Sequence, residues 1–211
     1  MKNRLKKMSA AVMALFVLVA AVACGKNKIL EQTDIIAEQC GLEETDDIDR
    51  VLKDVAGTQD YTEQVYLKAD GAEAAQPVYD VVFNRSNTYP KAEVTSIAVM
   101  YTNVLNSDGY AIRENAYVMT FKNSKKASEF YGHLLNKLGV LNFSKGKDGN
   151  VRYGVYKDIN ENFVVQQGIY NDGKTVVVFT GNGQNINDFM LSDRICNVMN
   201  LIAPDDYAPQ R

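Results

Sequence analysis

The side chains with the most reactive chemistry in this sequence are three cysteines, Cys24, Cys40 and Cys196, and a single histidine, His133. A cysteine nucleophile needs a base beside it, and nothing in the sequence places His133 next to Cys40 or Cys196. No second Cys or His stands at metal-ligand spacing, so no metal site is predicted. His133 lies off the apolar stripe of its helix, which predicts a solvated surface residue. No catalytic residue and no cofactor is assigned.

Cys40 and Cys196 could instead form a disulfide, because such a bond persists outside the cytoplasm and would here close a long loop. A single possible pair without a spacing motif is a weak signal. Free cysteine also behaves as a small hydrophobic residue. We therefore expect two separate buried thiols.

Cys24 stands at the end of a three-part leader. Four cations come first, and an uncharged, mostly apolar run follows from Met8 to Ala23. A charged start, an apolar centre and small residues at the end are typical of a secretory signal peptide. Ala21-Val22-Ala23-Cys24 resembles the lipobox of bacterial lipoproteins, although that family usually has Leu where Ala21 stands. The resemblance implies that residues 1–23 are removed and that Cys24 receives a diacylglyceryl group.

The alternatives are an uncleaved membrane anchor and an ordinary signal peptide. The apolar run has 16 residues, which is short for a membrane-spanning helix, since such a helix needs about 20. In every one of these interpretations the remaining chain leaves the cytoplasm. Two acyl chains hold a protein firmly at a bilayer. We expect a lipid-anchored protein on the extracytoplasmic side of the cell membrane, with residues 24–28 as a short tether.

Removal of the leader makes the chain distinctly acidic. The leader contains four of the 23 cations and none of the 26 acids, so residues 24–211 carry a net charge of −7. All of this excess lies in residues 24–70, and the rest of the chain is neutral. Nucleic acid is therefore not an expected partner. We expect the acidic segment to face away from an anionic membrane.

Residues 29–57 are predicted to form two short acidic helices, the first ended by Gly41 and the second capped by Thr45. Ile36-Ala37-Glu38-Gln39-Cys40-Gly41-Leu42, followed by Arg50-Val51-Leu52-Lys53 and Gly57, resembles the second helix-turn-helix of AraC-type transcription activators. The resemblance implies DNA binding, but the second helix carries carboxylates that would repel phosphates. These carboxylates do not follow the spacing of a calcium-binding loop either, and helix capping explains them more simply. They belong to Glu43, Glu44, Asp46, Asp47 and Asp49.

Gly181-Asn182-Gly183 follows a predicted strand and precedes a predicted helix, as the glycine-rich loop of dinucleotide-binding proteins does. The third glycine is missing, since Ile186 stands in its place. The strands are linked as hairpins rather than as parallel units. A flexible strand-to-helix turn is the simpler interpretation, and an anion at the helix N-terminus is a weaker alternative.

Hydrophobic periodicity predicts strands over 61–69, in two segments between 94 and 121, and over 151–157, 163–170 and 174–180. Helices are predicted from 123 or 124 to 139 and over 187–202, whereas residues 70–89 fit either a helix or a strand. Hairpin-linked strands indicate an antiparallel sheet. The predicted fold class is α+β, an antiparallel sheet covered on one face by amphipathic helices and preceded by the acidic helical segment. One domain would span 29–203, followed by a frayed tail over 204–211.

No hydrolase motif such as Gly-x-Ser-x-Gly or Ser-x-x-Lys is present. We therefore expect a non-catalytic binding or assembly module at the cell envelope, with an envelope protein, peptide or glycan as its partner. An envelope hydrolase with an unidentified active site and an inhibitor or immunity-type lipoprotein remain as alternatives. A deep pocket with converging polar groups would favour a small ligand, and an exposed apolar patch would favour a protein partner.

Overall fold

The computed structural model describes residues 27–50, 62–83, 89, 91–137, 142–160, 163–185 and 187–207. Eight strands form one sheet, in the order β1-β2-β3-β4-β8-β7-β6-β5. β1 and β2 are parallel, and every other neighbouring pair is antiparallel. The strands are β1 Glu43–Glu44, β2 Thr62–Asp70, β3 Val94–Leu105, β4 Ala111–Phe121, β5 Ser144–Asp148, β6 Val151–Ile159, β7 Val164–Asp172 and β8 Thr175–Gly183.

Among the described residues, four α-helices longer than one turn pack on this sheet: α1 Lys28–Cys40, α2 Ala72–Phe83, α3 Ser124–Lys137 and α4 Met190–Met199. Within the described ranges no helix is both long and apolar enough to span a bilayer. The leader, Cys24 and the start of the tether lie outside the described residues.

The α+β fold class is confirmed. The sheet is mixed rather than antiparallel, because β1 is parallel to β2, and the helices cover both faces of the sheet rather than one. α2 and α3 pack on the first face, and α1 and α4 pack on the second. The reason is that β3 is apolar on both sides. Ile97 and Val99 point into the core under α2 and α3, whereas Ala98 and Met100 point into the core under α1 and α4.

The first helix ends as predicted, because Gly41 adopts the left-handed conformation (φ 65°) and its N–H bonds back to the last turn of α1. The predicted cap at Thr45 is wrong by two residues. Asp47 caps the next turn, since its Oδ1 accepts the N–H groups of Asp49 and Arg50 at 2.9 and 3.3 Å. Residues 48–50 are helical, and the predicted continuation over 51–57 lies outside the described residues.

The structure settles the ambiguous stretch and changes several of the predicted boundaries. Residues 72–83 within the ambiguous stretch are helical. The last helix begins at Met190 rather than near 187 and ends at Met199 rather than at 202. The short polar strand β5 has no counterpart among the predicted strands. Within the predicted tail over 204–211, residues 204–207 form a 3₁₀ turn with a buried Pro204, and residues 208–211 lie outside the described residues.

Candidate functional site

The two ends of the sheet have different surroundings. At one end, here called the tether end, Asn27 Nδ2 donates a hydrogen bond to Oδ1 of Asp70, the last residue of β2. At the other, distal end lie the β3–β4 and β6–β7 hairpin tips and the end of β8 at Gly183. A strand rises about 3.3 Å per residue, so the two ends are roughly 30 Å apart. Asn27 is the first described residue, so the described chain begins at the tether end.

A groove of about 370 Å³ opens at the distal end. Its lining comes from three places in the chain, namely the start of β4, the loop before β7 and the end of β8 with the residue after it. The lining combines two aromatic rings, one guanidinium and two amides: Tyr110, Ala111, Arg113, Phe163, Asn182, Gly183 and Gln184. We call these residues the distal groove.

Two asparagine side chains hold the aromatic residues of the distal groove in place. Asn106 Oδ1 accepts the N–H groups of Asp108 and Tyr110 at 3.0 and 2.9 Å, which closes the β3–β4 turn. Asn160 Oδ1 accepts the Phe163 N–H at 3.0 Å, and the Asn160 N–H donates to the Phe163 carbonyl at 3.0 Å. The backbone of Tyr110 and that of Phe163 are therefore each fixed by local hydrogen bonds.

The Gly181-Asn182-Gly183 segment is not a strand-to-helix turn, because it continues β8. A Cβ atom on Gly181 would lie 2.7 Å from the ring of Phe189, which is fully buried. The following loop is anchored by Asp188, whose Oδ2 accepts the N–H groups of Gln184 and Asn185 at 3.3 and 2.9 Å. The glycines therefore make room for Phe189, and Asn182 points to the distal groove.

Arg113 lies beside a buried amide. Its Nε donates to Oδ1 of Asn103, a residue with no exposed surface, at 3.2 Å. Arg113 pairs across strands with Asn103 on one side and Asn182 on the other. The guanidinium is thereby held at the floor of the distal groove.

The first face of the sheet changes from apolar to polar towards the groove. One polar row crosses five strands, from Tyr101 through Asn115, Thr180 and Gln167 to Tyr156. Asn115 Oδ1 and Gln167 Oε1 are buried and have no hydrogen-bond partner among the described residues. A buried acceptor without a partner costs about 1–3 kcal/mol, so these two oxygens lower the stability of this part of the sheet.

Large exposed hydrophobic side chains gather around the distal end. Six such residues occur in the described part of the chain, and only Ile35, on α1, lies elsewhere. The other five are between 40% and 50% exposed: Leu105, Tyr110, Ile159, Phe163 and Met190. Clustered exposed apolar surface marks an interaction site more often than scattered exposure does.

A buried carboxylate holds the start of α4, which packs on the second face of the sheet. Glu114, on β4, is 2% exposed and caps α4: its Oε2 accepts the Leu191 N–H, and its Oε1 accepts the Ser192 N–H, each at 2.9 Å. The Ser192 hydroxyl donates to Glu114 and accepts from Gln166. Ser192 is almost fully buried and its hydroxyl is fully engaged. The network is therefore structural, and it offers no accessible serine nucleophile.

The thiols are buried and unreactive. Cys40 and Cys196 are both free, as expected, and burial raises their pKa to about 11 and about 12. His133 is not solvated as predicted: it is half-buried against the ring of Tyr89, and its buried Nε2 has no hydrogen-bond partner among the described residues. No group of Cys, His, Asp and Glu side chains in the described ranges is arranged to hold a metal ion.

The acidic residues after α1 make local contacts. Arg50 bridges Glu43 at 2.9 Å and Glu63 at 3.1 Å. The hydrogen bond from Arg50 lowers the pKa of the exposed Glu43 carboxyl. Together with the Asp47 cap, these contacts support helix capping and ion pairing as the role of this segment.

The two edges of the sheet are poor sites for adding a strand. β1 is two residues long, and β5 reads Ser-Lys-Gly-Lys-Asp. Very short or lysine-rich edge strands resist pairing with another chain. A partner therefore has to meet the sheet at an end or a face.

No family model matches this chain, and no curated protein matches it. Among solved structures it is similar to the extracellular domain of PknH from Mycobacterium tuberculosis, with 11% sequence identity and a TM-score of 0.39. The similarity covers 75% of this chain and 93% of that one. A similarity of this size carries no argument about fold or function.

Proposed function

We propose that this protein is a lipid-anchored, extracytoplasmic binding module that is held at the membrane through Cys24 and binds an envelope protein at the distal groove. The observation that carries the proposal is the separation of the two features. The tether joins the sheet at one end, and the groove with its exposed rings lies at the other. A lipid at Cys24 would leave the groove facing away from the bilayer, where a partner can reach it.

A protein or peptide partner is favoured over a glycan. Protein interfaces are enriched in Tyr, Phe, Met and Arg and contain few Lys, Glu and Ser residues. The distal groove contains Tyr110, Phe163 and Arg113, and the exposed aliphatic residues Leu105 and Ile159 extend the apolar surface around it. Aromatic rings and amides alone would suit a sugar, but the surrounding aliphatic surface suits apolar side chains of a protein.

Lipidation is tested by Cys24→Ala. The variant should lose lipid labelling and firm membrane association, because the acyl chains are the proposed anchor. Cell fractionation and labelling with a fatty-acid analogue measure both properties. Cys40→Ala is the matched control, since Cys40 is buried and should leave both unchanged. Persistent membrane association and labelling of Cys24→Ala would show that the anchor is not a lipid on this residue.

Binding at the groove is tested with a photo-cross-linking amino acid at position 163 in intact cells. We expect one discrete cross-linked envelope protein, and we expect Arg113→Ala to weaken its capture at least tenfold, as hot-spot arginines do. The control places the cross-linker at position 35, an exposed hydrophobic residue away from the groove. Equal capture of the same protein from both positions would overturn the assignment of the groove. Binding to isolated envelope polysaccharide instead would show a glycan partner.

A further inference from the structure

The tether end carries a cluster of lysines that the binding function leaves unexplained. Backbone hydrogen bonds bring several of their segments together: the Phe121 N–H donates to the Lys174 carbonyl and the Lys122 N–H to the Glu93 carbonyl, each at 2.9 Å. Lys28 lines a cleft together with Asp172 and Thr175 of the β7–β8 hairpin. We call the following residues the tether-end lysines: Lys28, Lys91, Lys122, Lys125, Lys126 and Lys174.

Four of these lysines are exposed and make no ion pair with any described residue: Lys28, Lys91, Lys125 and Lys174. The other two each pair with one carboxylate, Lys122 with Glu93 and Lys126 with Glu129. In a chain whose net charge is −7 without its leader, this local excess of positive charge is unexpected.

Three carboxylates accompany these lysines, those of Glu93, Glu129 and Asp172, and the other acidic residues near the tether lie on a different side. On the α1–β2 side of the tether, Glu31, Asp34 and Asp70 surround a cleft that also contains Lys68. The acidic segment after α1 lies further away, where Arg50 contacts Glu63 near the start of β2. Charges separated by more than about 10 Å are largely screened at 0.1 M salt. A surface that meets the α3–β8 corner of the tether end therefore meets more lysines than carboxylates, six against the three of Glu93, Glu129 and Asp172.

We propose that the tether-end lysines are a docking face for an anionic lipid bilayer. Asn27 is three positions after Cys24, and an extended chain spans about 3.5 Å per residue. A lipid on Cys24 would therefore bring this end of the sheet within about 10 Å of the headgroups. Lysines near an anionic surface each contribute to binding. The α3–β8 corner of the docked protein therefore contacts the bilayer, and the distal groove faces away from it.

The test uses residues 24–211 with Cys24→Ser, which retain every described strand and helix and lack the acyl chains. Binding is measured by co-sedimentation with phosphatidylcholine vesicles, with and without about one third phosphatidylglycerol, at about 0.1 M salt. We expect binding only to the anionic vesicles. Lys125→Gln with Lys174→Gln should weaken it about 25-fold, because each lysine near the surface contributes about fivefold.

The matched control is Lys137→Gln with Lys145→Gln, which removes the same charge away from the tether end and should change binding less than about twofold. Equal losses in the two double variants, or equal binding to neutral and anionic vesicles, would overturn the proposal, as would absence of binding by a folded protein. The proposal takes its geometry from the tether in the proposed function. Because the assayed chain carries no lipid, its result is independent of whether Cys24→Ala releases the full-length protein.

Discussion

Replacing Glu114 with alanine is expected to lower the free energy of unfolding by about 3–5 kcal/mol. The first N–H groups of a helix have no partner within the helix, and here the Glu114 carboxylate accepts those of Leu191 and Ser192. Without it, both donors stay buried with no acceptor, and the Ser192 hydroxyl loses its bond as well. Chemical denaturation measures the loss. Glu129→Ala, which removes a half-exposed carboxylate from a helix-surface ion pair, should change stability by less than about 0.5 kcal/mol.

The same carboxylate predicts a pH dependence of known sign. Burial raises the pKa of Glu114, and its hydrogen bonds from Ser192 and Leu191 oppose that shift. A folded-state pKa above the unfolded value of about 4.3 means that the folded protein binds the proton more tightly. This contribution to stability is present below pH 4.3 and is lost as pH rises through the folded-state pKa. The stability of the wild-type protein relative to Glu114→Gln should therefore fall with rising pH, and a rise would contradict the assignment.

The hairpins could be predicted from the sequence because their signals are local. Turn residues at 106–109 and 171–173 separate alternating strands, and both hairpins form where predicted. The burial of both sheet faces depends on contacts between distant segments, but β3 contained a signal for it. Ile97-Ala98-Val99-Met100 is a continuous apolar run, and such a run indicates a strand that is buried on both sides.

The distal groove could not be predicted, because its residues come together only through the sheet. Tyr110, Phe163 and Asn182 are distant along the chain and are ordinary residue types. The useful signal was the presence of Tyr110 and Phe163 beside hairpin turns, where a large aromatic residue has no core to enter. The spacing of Gly181 and Gly183 resembles that of a dinucleotide-binding loop, yet it serves the packing of Phe189. Cys24 and its resemblance to a lipobox residue remain a prediction.

Replacing Phe130 with alanine is expected to lower the free energy of unfolding by about 3–5 kcal/mol. Phe130, on α3, has no exposed surface. Its ring lies 5.2 to 6.0 Å from four other aromatic rings, and such pairs add to the stabilisation from burial. These neighbours are Tyr79, Phe83, Tyr89 and Phe121. Denaturant unfolding measures the loss. Phe130→Leu, which keeps most of the volume, should lose much less.

Tyr110→Ala is the control, because Tyr110 is 47% exposed at the distal groove and should change stability by less than about 0.5 kcal/mol. A similar loss in both variants would contradict the burial of the first face under α3. The contrast also separates the two halves of that face. The aromatic cluster around Phe130 stabilises the half near the tether, whereas the distal groove adds little to stability and is available for a partner.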